Sequence, residues 1–264
     1  MLRNPFTKWL WDARRSILGW SVAVAAVGSM YASFWPTFDD PEMQELIANY
    51  PSEIMEALNY TEIASAAGYL NATVYGLIVA MLMVVYAVSS GTRMIAGDEE
   101  AGTLDLILVH PVGRIRVALE RYLAFVVSVA VISLVLLIAI LAISVPVKLT
   151  SIPIENLVAM HLHLVFFGAL FGAVTFAVGT ASGSRVLALS IGAGVAVLGF
   201  AANGVLRQIE GLEWTENLSP FDWLNGSAPL TNGVHITDLA IMGLCSIVLV
   251  GFGLWAFDRR DVGV

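Results

Sequence analysis

Residues 122–145 read YLAFVVSVAVISLVLLIAILAISV, an apolar run with no charged side chain. An α-helix needs about 20 such residues to cross the roughly 30 Å hydrocarbon core of a bilayer. A membrane-spanning β-strand would be about half as long and would alternate apolar and polar residues. The run therefore predicts a transmembrane α-helix.

Five further apolar stretches of similar length occur along the chain. They are Ile17–Trp35, Tyr69–Ser89, Leu157–Thr180, Val186–Leu206 and Leu239–Phe257. The whole chain is 58% hydrophobic and 13% charged, whereas soluble domains are about one quarter charged. The sequence thus predicts an all-α polytopic membrane protein, with six transmembrane helices in one domain over residues 1–264.

The basic residues predict the orientation of the six spans. Eleven of the 13 basic residues fall in the amino terminus, the second loop, the fourth loop and the carboxyl-terminal tail. Lys148 and Arg207 alone fall on the other side of the predicted membrane. Because basic loops stay cytoplasmic, we expect both termini in the cytoplasm.

Two segments outside the spans admit alternative interpretations. Residues 4–15, with Trp9 and Trp11 among basic residues, fit an amphipathic helix in the membrane interface or a simple flank of the first span. The aromatic and proline-containing segment 208–238 fits a short re-entrant or interfacial hairpin, or an ordinary loop with interfacial aromatic residues.

The sequence lacks the motifs of several catalytic and metal-binding classes. The phosphate-binding pattern G-x-x-x-x-G-K-[ST] needs a lysine after glycine, whereas Lys8 follows threonine and Lys148 follows valine. No H-E-x-x-H pattern and no cysteine cluster supports a zinc site. We therefore expect no catalytic, cofactor-binding or metal-binding residue in this chain, and the net charge of −8 argues against a nucleic-acid partner.

The predicted spans are also poor in ionisable groups, apart from His161 and His163 near the outer end of the fourth span. Two residues apart on a helix, these side chains point in different directions, so we interpret them as interfacial histidines rather than a proton relay or metal pair. Ion-coupled carriers usually place charged groups at bilayer depth. Energy for uphill transport would therefore come from another chain.

The loop between the second and third spans carries the strongest local pattern. Asp98, Glu99 and Glu100 suit the first turn of a helix, where carboxylates complement exposed amide groups. Leu104, Ile107 and Leu108 follow at helical spacing and predict an apolar stripe. Such a helix fits a groove on a soluble partner or lies on membrane lipid, and the residues alone leave both possibilities open.

The stretch E-E-x-G-T-L-D-L-I-L-x-x-P-V-x-R in this loop resembles the coupling segment of type-2 ABC exporter permeases. The positions that we assign to partner docking are Glu99, Glu100, Gly102, Thr103, Leu104, Leu106, Leu108, Pro111 and Arg114. Weaker matches are Arg14–Trp20, Ser219–Phe221 and Phe257–Asp261. The resemblance implies a six-helix permease domain, an amino-terminal interfacial helix, a cytoplasmic coupling helix within residues 93–116, and re-entrant helices before the last span.

The resemblance also implies partners and a location. We expect a separate ABC ATPase subunit that binds ATP and magnesium, and a second permease subunit, usually an identical one, in the plasma (inner) membrane. Two alternatives stay open: a non-transporting membrane assembly or sensor subunit, and, with less support, an ion-coupled secondary carrier. Candidate cargoes include lipids, drugs, peptides, polyketides and metal complexes.

Overall fold

The structure is a computed structural model that describes residues 4–49, 65–104 and 113–260, and these residues form helices, turns and loops without a β-strand. Six helical segments are long and apolar enough to cross a membrane. They are Pro5–Phe38, Ala66–Gly91, Arg114–Ile143, Ile154–Ser182, Arg185–Gln208 and Ile236–Arg259. The predicted all-α architecture with six spans is thus confirmed.

The spans are built from long helices, and shorter helices lie between them. In chain order the described α-helices are α1 (Pro5–Ala32), α2 (Trp35–Phe38), α3 (Pro41–Ala48), α4 (Ala66–Tyr69), α5 (Val79–Gly91), α6 (Ala96–Glu100), α7 (Arg114–Ile143), α8 (Ile154–Ser182), α9 (Arg185–Gly204), α10 (Pro220–Asn225), α11 (Pro229–Asn232) and α12 (Ile236–Arg259). A π-helix, Leu70–Ile78, joins α4 to α5, and 3₁₀ turns occupy Leu206–Gln208 and Glu213–Leu218.

The amino-terminal segment differs from the prediction of a separate interfacial helix over residues 4–15. Asn4 caps α1 by accepting a 2.8 Å hydrogen bond from the Thr7 N–H, and α1 then continues without a break to Ala32. Trp9 holds this first part of α1 against α7, with its ring edge on the Phe125 ring at 6.4 Å between centroids. The segment is therefore continuous with the helix of the first span rather than a separate helix.

Helix α8 is the most buried span and packs against α5, α7, α9 and α12. Glycines on one face of α8 allow α7 to approach closely. A Cβ added at Gly168 would lie 2.7 Å from Val129, and one added at Gly172 would overlap the Phe125 ring. Small residues at such a spacing are typical of helix interfaces inside membranes.

The outward faces of the spans carry large apolar side chains that the fold leaves exposed. Examples are Leu18 and Val22 on α1, Val197 on α9, and Ile247 and Val248 on α12, each more than 60% exposed. Side chains of this kind around a whole bundle would destabilise a protein in water, whereas lipid chains solvate them. The pattern defines a multi-pass membrane protein.

The segment before the last span forms two short helices, as the hairpin interpretation expects. Phe221 on α10 is fully buried and contacts the rings of Phe167, Phe171 and Phe200. The Ser219 hydroxyl donates a 2.8 Å hydrogen bond to the Gly199 carbonyl, which fixes the start of α10 against α9. Helix α10 is therefore part of the bundle's interior rather than a surface loop.

Candidate functional site

Both ends of the described chain lie at one end of the bundle, which we call the terminal face. Here the starts of α1 and α7 and the end of α12 meet. The Phe6 N–H donates a 3.3 Å hydrogen bond to the Glu120 carboxylate, and the Arg114 guanidinium donates a 3.2 Å hydrogen bond to the Arg260 carbonyl. The loop that was predicted to couple to a partner leaves and enters the bundle at this face.

Helix α6 is a single turn that carries the three consecutive carboxylates of this loop. It ends at Glu100, and Gly102 then adopts a left-handed backbone with φ of 65°. The Thr103 N–H donates a 2.8 Å hydrogen bond back to the Asp98 carbonyl. A single helix running from Asp98 through Leu104 is therefore not formed, because this turn interrupts it at residues 101–103; the rest of the predicted helical stretch, residues 105–112, lies outside the described residues.

Asp98 pairs with a buried arginine of the third span. The Arg121 guanidinium lies 2.7 Å from the Asp98 carboxylate and also donates to the Met94 carbonyl. Arg121 is 6% exposed, so its charge depends on these two acceptors. A guanidinium tolerates such a site because its donors fit several acceptors at once, whereas an unpaired buried charge is strongly destabilising.

Glu99 pairs with Arg260, which directly follows α12. The pair sits on the turn between α8 and α9, where Gly183 has φ of 70°. A Cβ at Gly183 would lie 2.6 Å from a Glu99 carboxylate oxygen. Gly183 therefore serves both the left-handed turn and the close approach of the ion pair.

Glu100 holds the start of the fifth span. Its carboxylate accepts a 2.8 Å hydrogen bond from the Arg185 N–H, the first residue of α9. A carboxylate is favourable there because the first amide groups of a helix lack partners and carry partial positive charge. Ser184 caps the same helix end by accepting a 3.3 Å hydrogen bond from the Leu187 N–H.

We call these contacts the terminal-face network: Asp98 with Arg121, Glu99 with Arg260, and Glu100 with the Arg185 N–H. Each carboxylate reaches a different helix, namely α7, the end of α12, and the start of α9. The network therefore connects one short inter-span helix to three of the six spans.

The predicted docking residues divide into four groups. Glu99 and Glu100 belong to the network, and Arg114 bonds to the Arg260 carbonyl. Gly102 and Thr103 are exposed, whereas Leu104 is 1% exposed and packs in the chain's own apolar core. Leu106, Leu108 and Pro111 lie outside the described residues.

Sequence reasoning missed the roles of Asp98, Arg121, Arg185 and Arg260 in this network. Arg121 and Arg260 were interpreted only as basic residues that set the orientation of the chain. The sequence does carry a signal for the network: three consecutive acidic residues lie between spans whose ends carry arginines. Which arginine meets which carboxylate depends on contacts up to 161 residues apart in sequence.

The two histidines of α8 are buried in the bundle rather than placed at the interface. His161 is 4% exposed, its Nδ1 lies 2.8 Å from the Leu157 carbonyl, and its Nε2 lies 3.4 Å from the Tyr75 hydroxyl on the π-helix. His163 is fully buried, and its Nε2 has no hydrogen-bond partner among the described residues. Within those residues no group of three or more His, Cys, Asp or Glu side chains could hold a metal ion.

An acidic cluster lies at the opposite end of the bundle, next to α10. Burial raises the pKa of the Asp222 carboxyl to about 6, and repulsion from Glu216 and Asp238 adds to the shift while Arg207 opposes it. Arg207 itself pairs with Glu216 at 2.5 Å. The pKa of Asp222 therefore lies closer to neutral pH than that of an ordinary aspartate.

Within the described residues, the fold and this site define a membrane protein with six candidate spans and a polar network at the terminal face. The chain belongs to the family described as "Multidrug efflux system permease Rv1217c, C-terminal domain", whose model matches residues 2–258. It is thus a transmembrane permease of an efflux family. Comparison with curated protein sequences gives no match.

Proposed function

We propose that this permease is the membrane subunit of an ATP-driven ABC exporter and docks a separate nucleotide-binding subunit through the loop 93–116. Membership of an efflux-permease family over nearly the whole chain supports the transport role. The observation that carries the energy-coupling role is the terminal-face network, because it links that loop to three spans through direct polar contacts.

The proposed docking surface is the exposed tip of this loop. Gly102 and Thr103 are exposed and lie just beyond the carboxylates that hold α6 to the bundle. Leu106, Leu108 and Pro111 complete the surface in the proposal, since they follow directly in sequence. Leu104 is buried, so it supports the loop from within rather than contacting the partner.

The partner would bind ATP and magnesium and hydrolyse ATP, since this chain has no phosphate-binding loop. In this proposal the terminal face is cytoplasmic, both termini lie inside, and the membrane is the plasma (inner) membrane. The basic residues of that face support this orientation.

A second, identical permease chain would complete the translocation path. Six helices leave little room for a path within one chain, and both α9 and α12 expose apolar faces that a second copy or lipid can cover. The proposed cargo is an amphipathic drug-like molecule, because the family is one of multidrug efflux permeases and the span surfaces are apolar.

Copurification with a P-loop ATPase encoded beside this chain tests the proposal. The wild-type permease should retain the ATPase through detergent extraction and affinity purification. Thr103→Trp should reduce the retained ATPase strongly, because a bulky ring at the exposed tip prevents close docking. Thr150→Trp is the matched control, since Thr150 is exposed at the opposite end of the bundle. Equal retention by both variants would contradict docking at this loop.

A further inference from the structure

The three carboxylates of α6 are all engaged within the chain. The Asp98 carboxylate is paired at 2.7 Å, the Glu100 carboxylate accepts a hydrogen bond at 2.8 Å, and the Glu99 carboxylate contacts Arg260 directly. The side chains of Glu99 and Arg260 are 18% and 21% exposed. A basic residue of a partner would have to displace Arg260 to reach Glu99.

We propose that Asp98, Glu99 and Glu100 are positioning residues that transmit movement of the inner loop to α7, α12 and α9 through contacts within this chain, and that they do not bind the partner. This inference rests on the proposed function, because it takes the loop to be the part that an ATPase moves. Under this inference the exposed part of the loop, which includes Gly102 and Thr103, binds the partner. The carboxylates of α6 transmit the movement of the loop to the spans.

The geometry of α6 suits such a role. Its single turn is closed on one side by the hydrogen bond from the Thr103 N–H to the Asp98 carbonyl, at 2.8 Å. On the other side Arg121 binds both the Asp98 carboxylate and the carbonyl of Met94, which lies two residues before the first residue of α6. A displacement of α6 therefore acts on Arg121 directly, without a flexible segment between them.

The contacts to the other two spans are placed where helices begin or end. Arg260 follows the last residue of α12, and Arg185 is the first residue of α9. Packed helices move largely as rigid bodies, so a displacement at a helix end can shift or tilt the whole helix. The network thus reaches α9 and α12 at their ends, and it reaches α7 at Arg121, two turns from its first residue.

The pair Glu99–Arg260 gives the cleanest test because it is partly accessible and its loss should leave the bundle folded. The complex of permease and ATPase would be reconstituted in liposomes with a fluorescent amphipathic drug as cargo. We would measure three quantities: ATPase retained on purification, ATP hydrolysed, and drug transported per ATP. The variants are Glu99→Gln, the exchange Glu99→Arg with Arg260→Glu, and the control Asp258→Asn, an exposed carboxylate at the same helix end.

Glu99→Gln should keep ATPase retention and hydrolysis at the wild-type level, while transport per ATP falls by about five-fold or more. The exchanged pair should recover at least half of that loss, and Asp258→Asn should behave as wild type. A merely structural role would lower retention, hydrolysis and transport together.

Loss of ATPase retention by Glu99→Gln, with wild type retaining it, would show that Glu99 faces the partner and would overturn the inference alone. Transport per ATP unchanged by Glu99→Gln would overturn it as well, and so would an exchanged pair that recovers nothing. Failure of the wild-type permease to retain any ATPase would instead refute the proposed function on which the inference rests.

Discussion

The Asp98–Arg121 pair should contribute more to stability than any exposed ion pair of this chain. Asp98→Asn keeps the size of the side chain but removes its charge, which leaves the Arg121 guanidinium with the Met94 carbonyl as its described acceptor. Breaking a fully buried pair costs about 3–5 kcal/mol. Because the Asp98 side chain is 34% exposed, water can partly replace the lost contact with Arg121. We therefore expect Asp98→Asn to lower the free energy of unfolding by about 2–3 kcal/mol.

A double variant measures the interaction energy between Asp98 and Arg121, apart from the contacts that each side chain makes with other groups. Arg121→Met removes the buried charge and keeps an apolar stem, so Asp98 can turn toward water at a smaller cost of about 1–2 kcal/mol. In Asp98→Asn with Arg121→Met neither charge is present. The loss should therefore be smaller than the sum of the two single losses by about 1–2 kcal/mol.

Thermal unfolding in detergent measures these differences, and the single cysteine provides the signal. Cys245 is half-buried in α12, so a thiol-reactive dye reports when that helix opens. At this chain length 1 kcal/mol corresponds to about 2–4 °C, so Asp98→Asn should lower the midpoint by roughly 4–12 °C. The control is Asp12→Asn, which breaks the exposed Lys8–Asp12 pair and should change the midpoint by less than about 2 °C. An Asp98→Asn midpoint equal to that of the control, or strictly additive losses in the double variant, would refute the reasoning.

Three further outcomes follow from the structure. Gly172→Val should lower the free energy of unfolding by about 1–3 kcal/mol, because the new side chain would overlap the Phe125 ring that packs on α8. Gly194 has open space around it, so Gly194→Val should cost less than half as much in the same thermal assay. Asp222→Asn should stabilise the protein by about 1 kcal/mol above pH 6, after allowing for solvent access. Because the pKa of Asp222 is raised to about 6 in the folded state, wild-type stability falls as the pH rises from about 4, the ordinary value of an aspartate, to about 6, and is level above that. The gain from the substitution should therefore vanish below about pH 4 in thermal scans at several pH values. In a background without the native cysteine, a cysteine at Glu210 should react with an impermeant thiol reagent outside intact cells and one at Gly113 should not, and the reverse labelling would overturn the proposed orientation.

The span architecture could be predicted because hydropathy is a local property of the sequence. The run at residues 122–145 and its five counterparts exceed what any soluble core can bury, and the structure has a helix at each of them. The sequence predicted a separate helix before Ile17, whereas α1 runs past this point without a break. Trp9 and Phe6 hold its first turns against α7. A tertiary contact overrode the local pattern there.

The site was only partly predictable, for a related reason. The acidic run at 98–100 marked the right loop, but charge alone does not identify its partners. Those partners are the Arg121 guanidinium on α7, the Arg260 guanidinium after α12 and the Arg185 N–H at the start of α9. The π-helix at Leu70–Ile78 likewise places Tyr75 beside His161. Apolar periodicity does not reveal it, since the segment is mostly apolar on all sides and one extra residue per turn leaves that composition unchanged.

Transport by the reconstituted complex tests the central claim most directly. Permease and ATPase would be placed in liposomes, and uptake of a fluorescent amphipathic drug would be followed as ATP is added to the side that carries the ATPase. The account predicts uptake that requires hydrolysable ATP, persists when a protonophore collapses the proton gradient, and is absent with the permease alone. Uptake by the permease alone under an imposed proton gradient, with no response to ATP, would contradict it.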